Sequence, residues 1–326
     1  LALRAVRAAA RSGLATLIVR LFFANSVRTH FRLLIESLRA EPAAEAPAPA
    51  LPRPGGAGAA SGEQVAIFRG CTTPVLFPEV MQAFERCLAR LDLAVADPSS
   101  QVCCGALLLH HGDIESARRL ARRNIEAFEA HDGVILVEAA GCGAALKGYG
   151  DLLADDERYA ARARRFAARV RDVGEYLAAR LPAPHEAAAA SMPAREMGDA
   201  APLLVTYQDP CHLRHVQGVA AAPRRLIDAL RGVRRADAGE ADLCCGSAGI
   251  YNLLEPEMSQ RLAERKVVQL AATGAQCVIT ANPGCRIQLA GRLQREGIAM
   301  QHLVELWAAR GAAAAASEAE PRRPGE

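Results

Sequence analysis

The tripeptide Cys-Cys-Gly occurs twice in the sequence, at residues 103–105 and 244–246. Neighbouring side chains on an extended backbone point to opposite faces, so a regular strand would direct only one thiol of each doublet into a core. A doublet followed by glycine therefore indicates a loop that gathers both sulfurs at one place. Any fold of this chain must build such a loop twice.

The surroundings of the two doublets form an internal repeat. The run "VAIFRGC", ending at Cys71, corresponds to "LLVTYQDPC", ending at Cys211, and "GVILVEAAGCGAAL" corresponds to "CVITANPGCRIQL". Apolar strand runs alternate with amphipathic helical segments in both copies, which is typical of parallel sheets covered by helices. The sequence predicts an α/β fold of two homologous repeats, each a small, mostly parallel sheet covered by helices, preceded by a basic helical segment.

Shifts in composition predict six segments. The first segment is basic, because Glu36 is its only acid among several arginines. Apolar residues stand between the arginines at helical spacing, which favours a docking arm or contact with an anionic membrane surface. The two linkers are rich in Pro and Ala. The predicted boundaries are a basic helical segment at 1–40, a linker at 41–64, a first cysteine-rich domain at 65–181, a linker at 182–201, a second cysteine-rich domain at 202–310 and a disordered tail at 311–326.

The charge and the motifs argue against nucleic-acid and dinucleotide binding. The formal net charge is only +3, the pI is near 8.4 and aromatics make up 4% of the chain, so the aromatic and basic stripes of nucleic-acid binders are missing. No Walker loop, G-x-G-x-x-G motif or Ser/His/Asp set occurs in the sequence. The function must therefore be sought in the cysteines.

The apolar run "LATLIVRLFF" is broken by Arg20 and is too short to span a bilayer, which takes about 20 apolar residues. No cleavage-site pattern follows it. We therefore expect a cytoplasmic, reducing compartment, in which clustered cysteines bind metal more often than they form disulfides.

Eight of the ten cysteines recur in the same order in the two copies. Each of the eight lies at a strand end or in a loop marked by Gly or Pro, where the backbone can bend around a ligand. Cys87 and Cys277 fall outside the pattern and are predicted to pack in the core. The recurring sets are Cys71, Cys103, Cys104 and Cys142 in the first copy, and Cys211, Cys244, Cys245 and Cys285 in the second.

Four thiolates suit either a structural zinc or an iron–sulfur cluster. Adjacent cysteines converge poorly on one zinc ion, whereas neighbouring thiolates can reach different irons of a larger cluster. Gly105 and Gly246 allow the backbone to approach an inorganic sulfide closely. The doublets therefore favour a cluster.

The motifs "CCGALLLHHGD", "AAGCGA", "DPCHLRH", "CCGSAGIYNLLEPEM" and "NPGC" resemble those of the iron–sulfur subunits of glycolate oxidase (glycolate dehydrogenase). These belong to the wider family of cysteine-rich CCG-domain proteins, which includes the heterodisulfide reductase B subunit and lactate-utilisation subunits. The resemblance runs from about residue 65 to 307. The combination of "CCGSAGIYNL" and "NPGC" points to the glycolate oxidase branch.

The resemblance implies an electron-transfer subunit of an oxidoreductase that is inactive on its own. Flavin subunits would oxidise glycolate to glyoxylate, and this chain would pass the electrons toward quinone at the inner face of the cell membrane. It also implies one or two iron–sulfur clusters of the four-iron, four-sulfur (4Fe-4S) type. The implied ligands are Cys71, Cys103, Cys104 and Cys142 for one site, and Cys211, Cys244, Cys245 and Cys285 for the other.

Two departures from the family pattern limit what the resemblance implies. The fullest pattern ends in C-x-x-C, but Ala139 and Asn282 stand at the expected first cysteine of that motif, so four ligands per cluster fit better than five. Full-length relatives also begin with a ferredoxin-like module carrying two C-x-x-C-x-x-C runs, and these runs do not occur here. We expect either a truncated chain or a partner that supplies the module.

Two other functions stay open at this stage. A lactate-utilisation or heterodisulfide-reductase-like complex would use the same domains, and a zinc-stabilised scaffold would use the same thiols. Four histidines near the cysteines are predicted to hydrogen-bond in loops or to tune a cluster from outside its ligand shell. They are His110, His111, His212 and His215.

Overall fold

The computed structural model describes Glu36 and residues 63–91, 93–181 and 201–310. The predicted basic segment, both linkers and the tail lie almost wholly outside these residues. Within them the chain forms two four-stranded sheets in which every strand pairing is parallel. This confirms the predicted α/β class and the repeat, whereas the domain boundaries stay a prediction.

The strands are β1 (Gln64–Phe68), β2 (Ala94–Ala96), β3 (Val134–Val137), β4 (Val170–Asp172), β5 (Leu203–Tyr207), β6 (Val233–Ala236), β7 (Cys277–Thr280) and β8 (Ala299–His302). The two sheets have the same strand order, β2-β1-β3-β4 and β6-β5-β7-β8. The central strands are short apolar runs, such as "VILV" in β3 and "CVIT" in β7, because helices cover both faces of each sheet.

Helices connect consecutive strands and begin with local signals in the sequence. Proline stands in the first turn of α2 and of α12, where a missing N–H costs nothing, and the Asp113 side chain caps α4 by accepting from Ser116 N. The helices of the first copy are α1 (Thr73–Leu76), α2 (Pro78–Ala89), α3 (Ala106–His111), α4 (Ile114–Ala127), α5 (Ala140–Lys147), α6 (Tyr149–Leu152), α7 (Ala160–Arg169) and α8 (Val173–Ala178). Those of the second are a π-helix (His212–Val216), α9 (Ala221–Asp228), α10 (Tyr251–Leu254), α11 (Pro256–Ala271), α12 (Pro283–Arg295) and α13 (Leu303–Arg310).

The two copies exchange their last helices. Helix α8 of the first copy packs against α9 of the second, and α13 of the second packs against α2 of the first. One apolar cluster accordingly contains buried side chains of both copies, among them Phe84 and Tyr176 from the first and Leu226 and Leu306 from the second. The repeats therefore share one core, and each copy also closes a further core of its own on the other face of its sheet.

Cys87 and Cys277 pack in this shared core, as predicted. Both are 1% exposed, and the Cys87 thiol reaches the carbonyl of Val304 in α13 at 3.6 Å. Among the described residues, no helix is both long and apolar enough to cross a membrane.

Candidate metal centres

The eight recurring cysteines lie at the carboxyl edges of the two sheets. Cys71 follows β1 and Cys142 occupies the first turn of α5 after β3, while Cys211 and Cys285 hold the matching positions after β5 and β7. The carboxyl ends of parallel strands meet at one edge of a sheet, where loops commonly bind ligands. The doublet loops come to the same edges, so each copy assembles four thiols.

In the first site the thiols interact in sequence order. The Cys71 and Cys103 sulfurs lie 3.8 Å apart, and the Cys104 and Cys142 sulfurs lie 3.1 Å apart. All four thiols are free, and Cys71 is exposed whereas Cys104 is buried. The site therefore has a solvent-facing end and a buried end.

The second site repeats this order with less exposure. The Cys245 and Cys285 sulfurs lie 3.3 Å apart, both side chains are 2% exposed, and Cys211 interacts with Cys244. His212 Nδ1 lies 3.6 Å from the Cys211 sulfur. Half of this site is thus enclosed by protein.

Glycine after each doublet is required by the backbone. Gly105 and Gly246 have φ of 82° and 86°, and a Cβ at Gly246 would lie 2.4 Å from the carbonyl oxygen of Ser259. Their N–H groups donate to the sulfurs of Cys103 and Cys244 at 3.5 and 3.4 Å. The turn thus places a donor on the first sulfur of each doublet.

Crowding keeps most thiols of the first site protonated. The pKa of Cys71 is raised, first because Cys103 accepts its proton and then because of burial. The pKa of Cys103 is raised by its contact with Cys104. Cys103 in turn lowers the pKa of Cys104, but Cys142 and burial together outweigh this and hold that pKa well above its ordinary range. Several neighbouring thiolates would repel one another without a cation between them.

The second site alternates raised and lowered thiol pKa values. The pKa values of Cys211 and Cys245 are raised because each thiol donates toward Cys244, and the pKa of Cys244 is lowered because it accepts from both. The pKa of Cys285 is lowered first by Cys245, with help from Asn282 and Gln208. Cys244 and Cys285 are therefore the thiols of this site that lose their protons most readily.

Four free thiols that converge in each copy fit an iron–sulfur cluster in number, element and placement. Among the described residues, no group of three or more His, Cys, Asp or Glu side chains surrounds a point suited to one metal ion. The sulfurs instead meet as two close pairs joined through the doublet. Neighbouring sulfurs of this kind can bind different irons of a larger cluster, as the sequence indicates.

The two sites adjoin each other across the copies. Ala140 N donates to Ala281 O at 3.0 Å, and Gly141 N donates to Asn282 Oδ1 at 3.2 Å. Close to these residues in the chain are Cys142, a residue of the first site, and Cys285, a residue of the second. The positions where the family pattern has a further cysteine, Ala139 and Asn282, therefore lie at the boundary between the sites.

Three of the four histidines, His110, His212 and His215, make polar contacts, one of which joins the two copies. His110 Nε2 and His212 Nε2 lie 3.2 Å apart with the rings nearly perpendicular, and His110 fills the space beside Gly249. His215 Nε2 lies 3.4 Å from the carbonyl of Asp242. The pair joins α3 of the first copy to the start of the π-helix of the second.

Sequence reasoning missed the polar side chains that hold the doublet loops. Asn124 donates to the carbonyl of Cys103 at 3.1 Å and Tyr149 donates to the carbonyl of Cys104 at 2.9 Å. In the second copy Ser259 donates to the carbonyl of Gly246 at 2.7 Å. Asn124 and Ser259 stand on the apolar faces of amphipathic helices. A polar residue at such a position is the sequence feature that could have indicated a buried hydrogen bond.

Comparison with known families gives two matches inside the chain. Residues 65–147 and 205–290 both match the family model described as "CCG: Cysteine-rich domain". These ranges contain the two sets of four cysteines, one set in each range. The two ranges matched by the family model therefore coincide with the two copies of the internal repeat.

The chain is similar in sequence to three proteins that are named for different oxidation or reduction systems. The "Probable glycolate oxidase iron-sulfur subunit" of Bacillus subtilis is 36% identical over 75% of this chain and 54% of its own length. A fumarate reductase (CoM/CoB) component of Methanothermobacter marburgensis is 30% identical over 73% and 44%, and "Lactate utilization protein A" of an Exiguobacterium species is 29% identical over 74% and 96%. The matched part thus spans about half of the first two relatives and nearly all of the third. Because the family model matches both copies, the chain belongs to the CCG cysteine-rich domain family, and it is similar to a probable glycolate oxidase iron–sulfur subunit.

Proposed function

We propose that this chain is the iron–sulfur electron-transfer subunit of a membrane-associated glycolate oxidase (glycolate dehydrogenase) complex. The flavin subunits of the complex oxidise glycolate, and this chain passes the electrons toward quinone. The name of the B. subtilis relative supports this choice, because that relative has higher identity than the fumarate reductase and lactate-utilisation proteins.

The observation that carries the proposal is the pairing of two four-thiol sites at adjoining sheet edges. The proposed ligands are Cys71, Cys103, Cys104 and Cys142 for the first site, and Cys211, Cys244, Cys245 and Cys285 for the second. A bound 4Fe-4S cluster would supply one-electron redox chemistry. The protein orients the thiols, favours deprotonation of Cys244 and Cys285, and shields the buried cysteines of each site from water.

The placement of the sites suits a relay. The backbone contact between Ala140 and Ala281 holds the two copies together at the residues beside Cys142 and Cys285. The exposed Cys71 end of the first site faces solvent, where a flavin subunit can approach. This arrangement suits a route in which electrons arrive at one site and leave from the other. In the proposal the complex is attached to the inner face of the membrane.

The proposal is tested by metal analysis of protein purified without oxygen. We expect iron and acid-labile sulfide in comparable amounts, and visible absorbance that Cys104→Ser and Cys245→Ser each reduce. Cys87→Ala is the matched control, because its thiol is buried in the shared core and should not alter the iron content. Stoichiometric zinc without iron or sulfide would instead support the scaffold alternative.

The substrate is tested separately. A second candidate, a role in a lactate-utilisation complex, is favoured by the 96% coverage of the Exiguobacterium relative. Combining this chain with its flavin subunits in dye- or quinone-reduction assays should give turnover with glycolate. Turnover with lactate and none with glycolate would replace the leading substrate while leaving the electron-transfer role in place.

A further inference from the structure

The side chain of Asn282 contacts both cysteine sites. Its Nδ2 donates to the sulfur of Cys285 at 3.4 Å, and its Oδ1 accepts from the N–H of Gly141 at 3.2 Å. Gly141 is the residue before Cys142. One amide therefore joins a sulfur of the second site to the backbone that carries a sulfur of the first.

The orientation of the amide follows from its partners. Reversing the amide would place Nδ2 against the N–H of Gly141, so that two donors faced each other, and Oδ1 against Cys285. The observed orientation satisfies the peptide N–H and leaves a donor for the sulfur. It is the orientation that a thiolate at Cys285 prefers.

The surrounding backbone holds the amide in place. Ala140 N donates to Ala281 O at 3.0 Å, and Gln217 Nε2 donates to Ala140 O at 2.8 Å. A Cβ at Gly284 would lie only 3.2 Å from Asn282 Nδ2, so glycine leaves the room that the side chain needs. The bridge is thus built into the contact between the copies.

The two copies differ at this position. Asn282 precedes α12 and Ala139 precedes α5, each in an extended conformation. Alanine has no donor to offer to Cys142, whereas asparagine offers one to Cys285. A hydrogen bond to a cluster sulfur stabilises the more negative, reduced state and raises the reduction potential.

We propose that Asn282 is a positioning residue that raises the reduction potential of the second site and links that site to the first through Gly141. Electrons that enter at the first site would then favour the second. The inference rests on the proposed function, because it requires cluster-bound sites.

The test is a redox titration of the full chain, followed by electron paramagnetic resonance, for wild type, Asn282→Ala and Asn282→Asp. Both variants lose the donor to Cys285. Each should lower the potential of the second site by an amount equivalent to about a tenfold change in the one-electron reduction constant, or about 59 mV. A Cys104→Ser background, which disrupts the first site, isolates the signal of the second.

Gln217→Ala is the matched control. It removes the hydrogen bond from Gln217 to Ala140 O, which supports the same contact between the two copies, but it removes no hydrogen bond to a sulfur. Its potential should equal that of wild type. Unchanged potentials in both Asn282 variants, or an equal fall in Gln217→Ala, would overturn the inference while leaving the iron content, and thus the proposed function, intact. Wild-type protein without iron would overturn both.

Discussion

The carboxyl group of Glu138 is fully buried directly after β3, four residues before Cys142. Among the described residues neither of its oxygens forms a well-directed hydrogen bond, although Thr73 and nearby backbone amides attract its charged form. Burial raises the pKa of Glu138 to about 7. This buried carboxyl group therefore titrates near neutral pH.

Glu138→Gln should flatten the dependence of stability on pH. Because the folded-state pKa lies above the ordinary value of 4.5, its contribution to stability is complete below about pH 4.5 and is lost as the pH rises through 7. The loss should amount to at most about 3 kcal/mol. Urea unfolding of metal-free protein from pH 5 to pH 8 measures it, and equal slopes in wild type and variant would contradict it.

The second site should be the more stable of the two. Cys245 and Cys285 are both buried, whereas the first site includes the exposed Cys71, and Pro283 begins the helix that carries Cys285. Cys245→Ser should therefore remove more visible absorbance than Cys104→Ser. Spectra of both variants, reconstituted side by side, decide this, and equal or reversed losses would count against it.

For individual side chains, the sequence predicted the cysteines of the two sites but not the polar residues that hold the cysteine loops by hydrogen bonds. The eight cysteines could be predicted because doublets and spacing recur along the chain. The position of Asn124 on an apolar helix face marked it as unusual, but the hydrogen-bond partners of Asn124 and Tyr149 could not be predicted. They depend on a contact between α4, α6 and the doublet loop that no local pattern encodes. The bridging role of Asn282 likewise depends on the approach of the other copy.

For strands and helices, the repeat predicted their order but not the exchange of helices between the copies. An amphipathic helix shows which face is buried, not which element covers it. Helix α8 and helix α13 occupy equivalent places in their copies, yet each packs against a helix of the other copy. Only the three-dimensional arrangement reveals that partner.

The exchange predicts that neither copy folds alone. A fragment of residues 63–181 would expose the face of α2 that α13 covers, and a fragment of 201–310 would expose the matching face of α9. Circular dichroism and urea unfolding should show cooperative transitions for the joined chain and for the mixed fragments, but not for either fragment alone. A cooperative transition in an isolated fragment would show that its own core is sufficient.

When the two copies are taken together, three exposed apolar side chains lie on elements that follow the cysteine ligands. Leu107 lies on α3, Val216 on the π-helix and Leu254 on α10, and each of these elements follows a cysteine ligand in the chain. The contacts of His110 with His212 and Gly249 join α3 to the π-helix and to the turn that precedes α10. Exposed apolar groups in such a cluster commonly mark an interface.

The proposed function requires an electron-donating subunit to approach the thiols closely, and this surface is where we expect the flavin subunit to dock. Val216→Ser should therefore weaken electron transfer from the flavin subunits several-fold while leaving the iron content unchanged. Val268→Ser is the matched control, because Val268 is exposed to nearly the same extent, 64% against 63%, but lies in the last turn of α11 and not on α3, the π-helix or α10. The rate of cluster reduction by glycolate with limiting flavin subunits measures the effect, since weakened docking lowers it at low but not at saturating partner concentration. Equal rates for the two variants would place the docking surface elsewhere on the molecule.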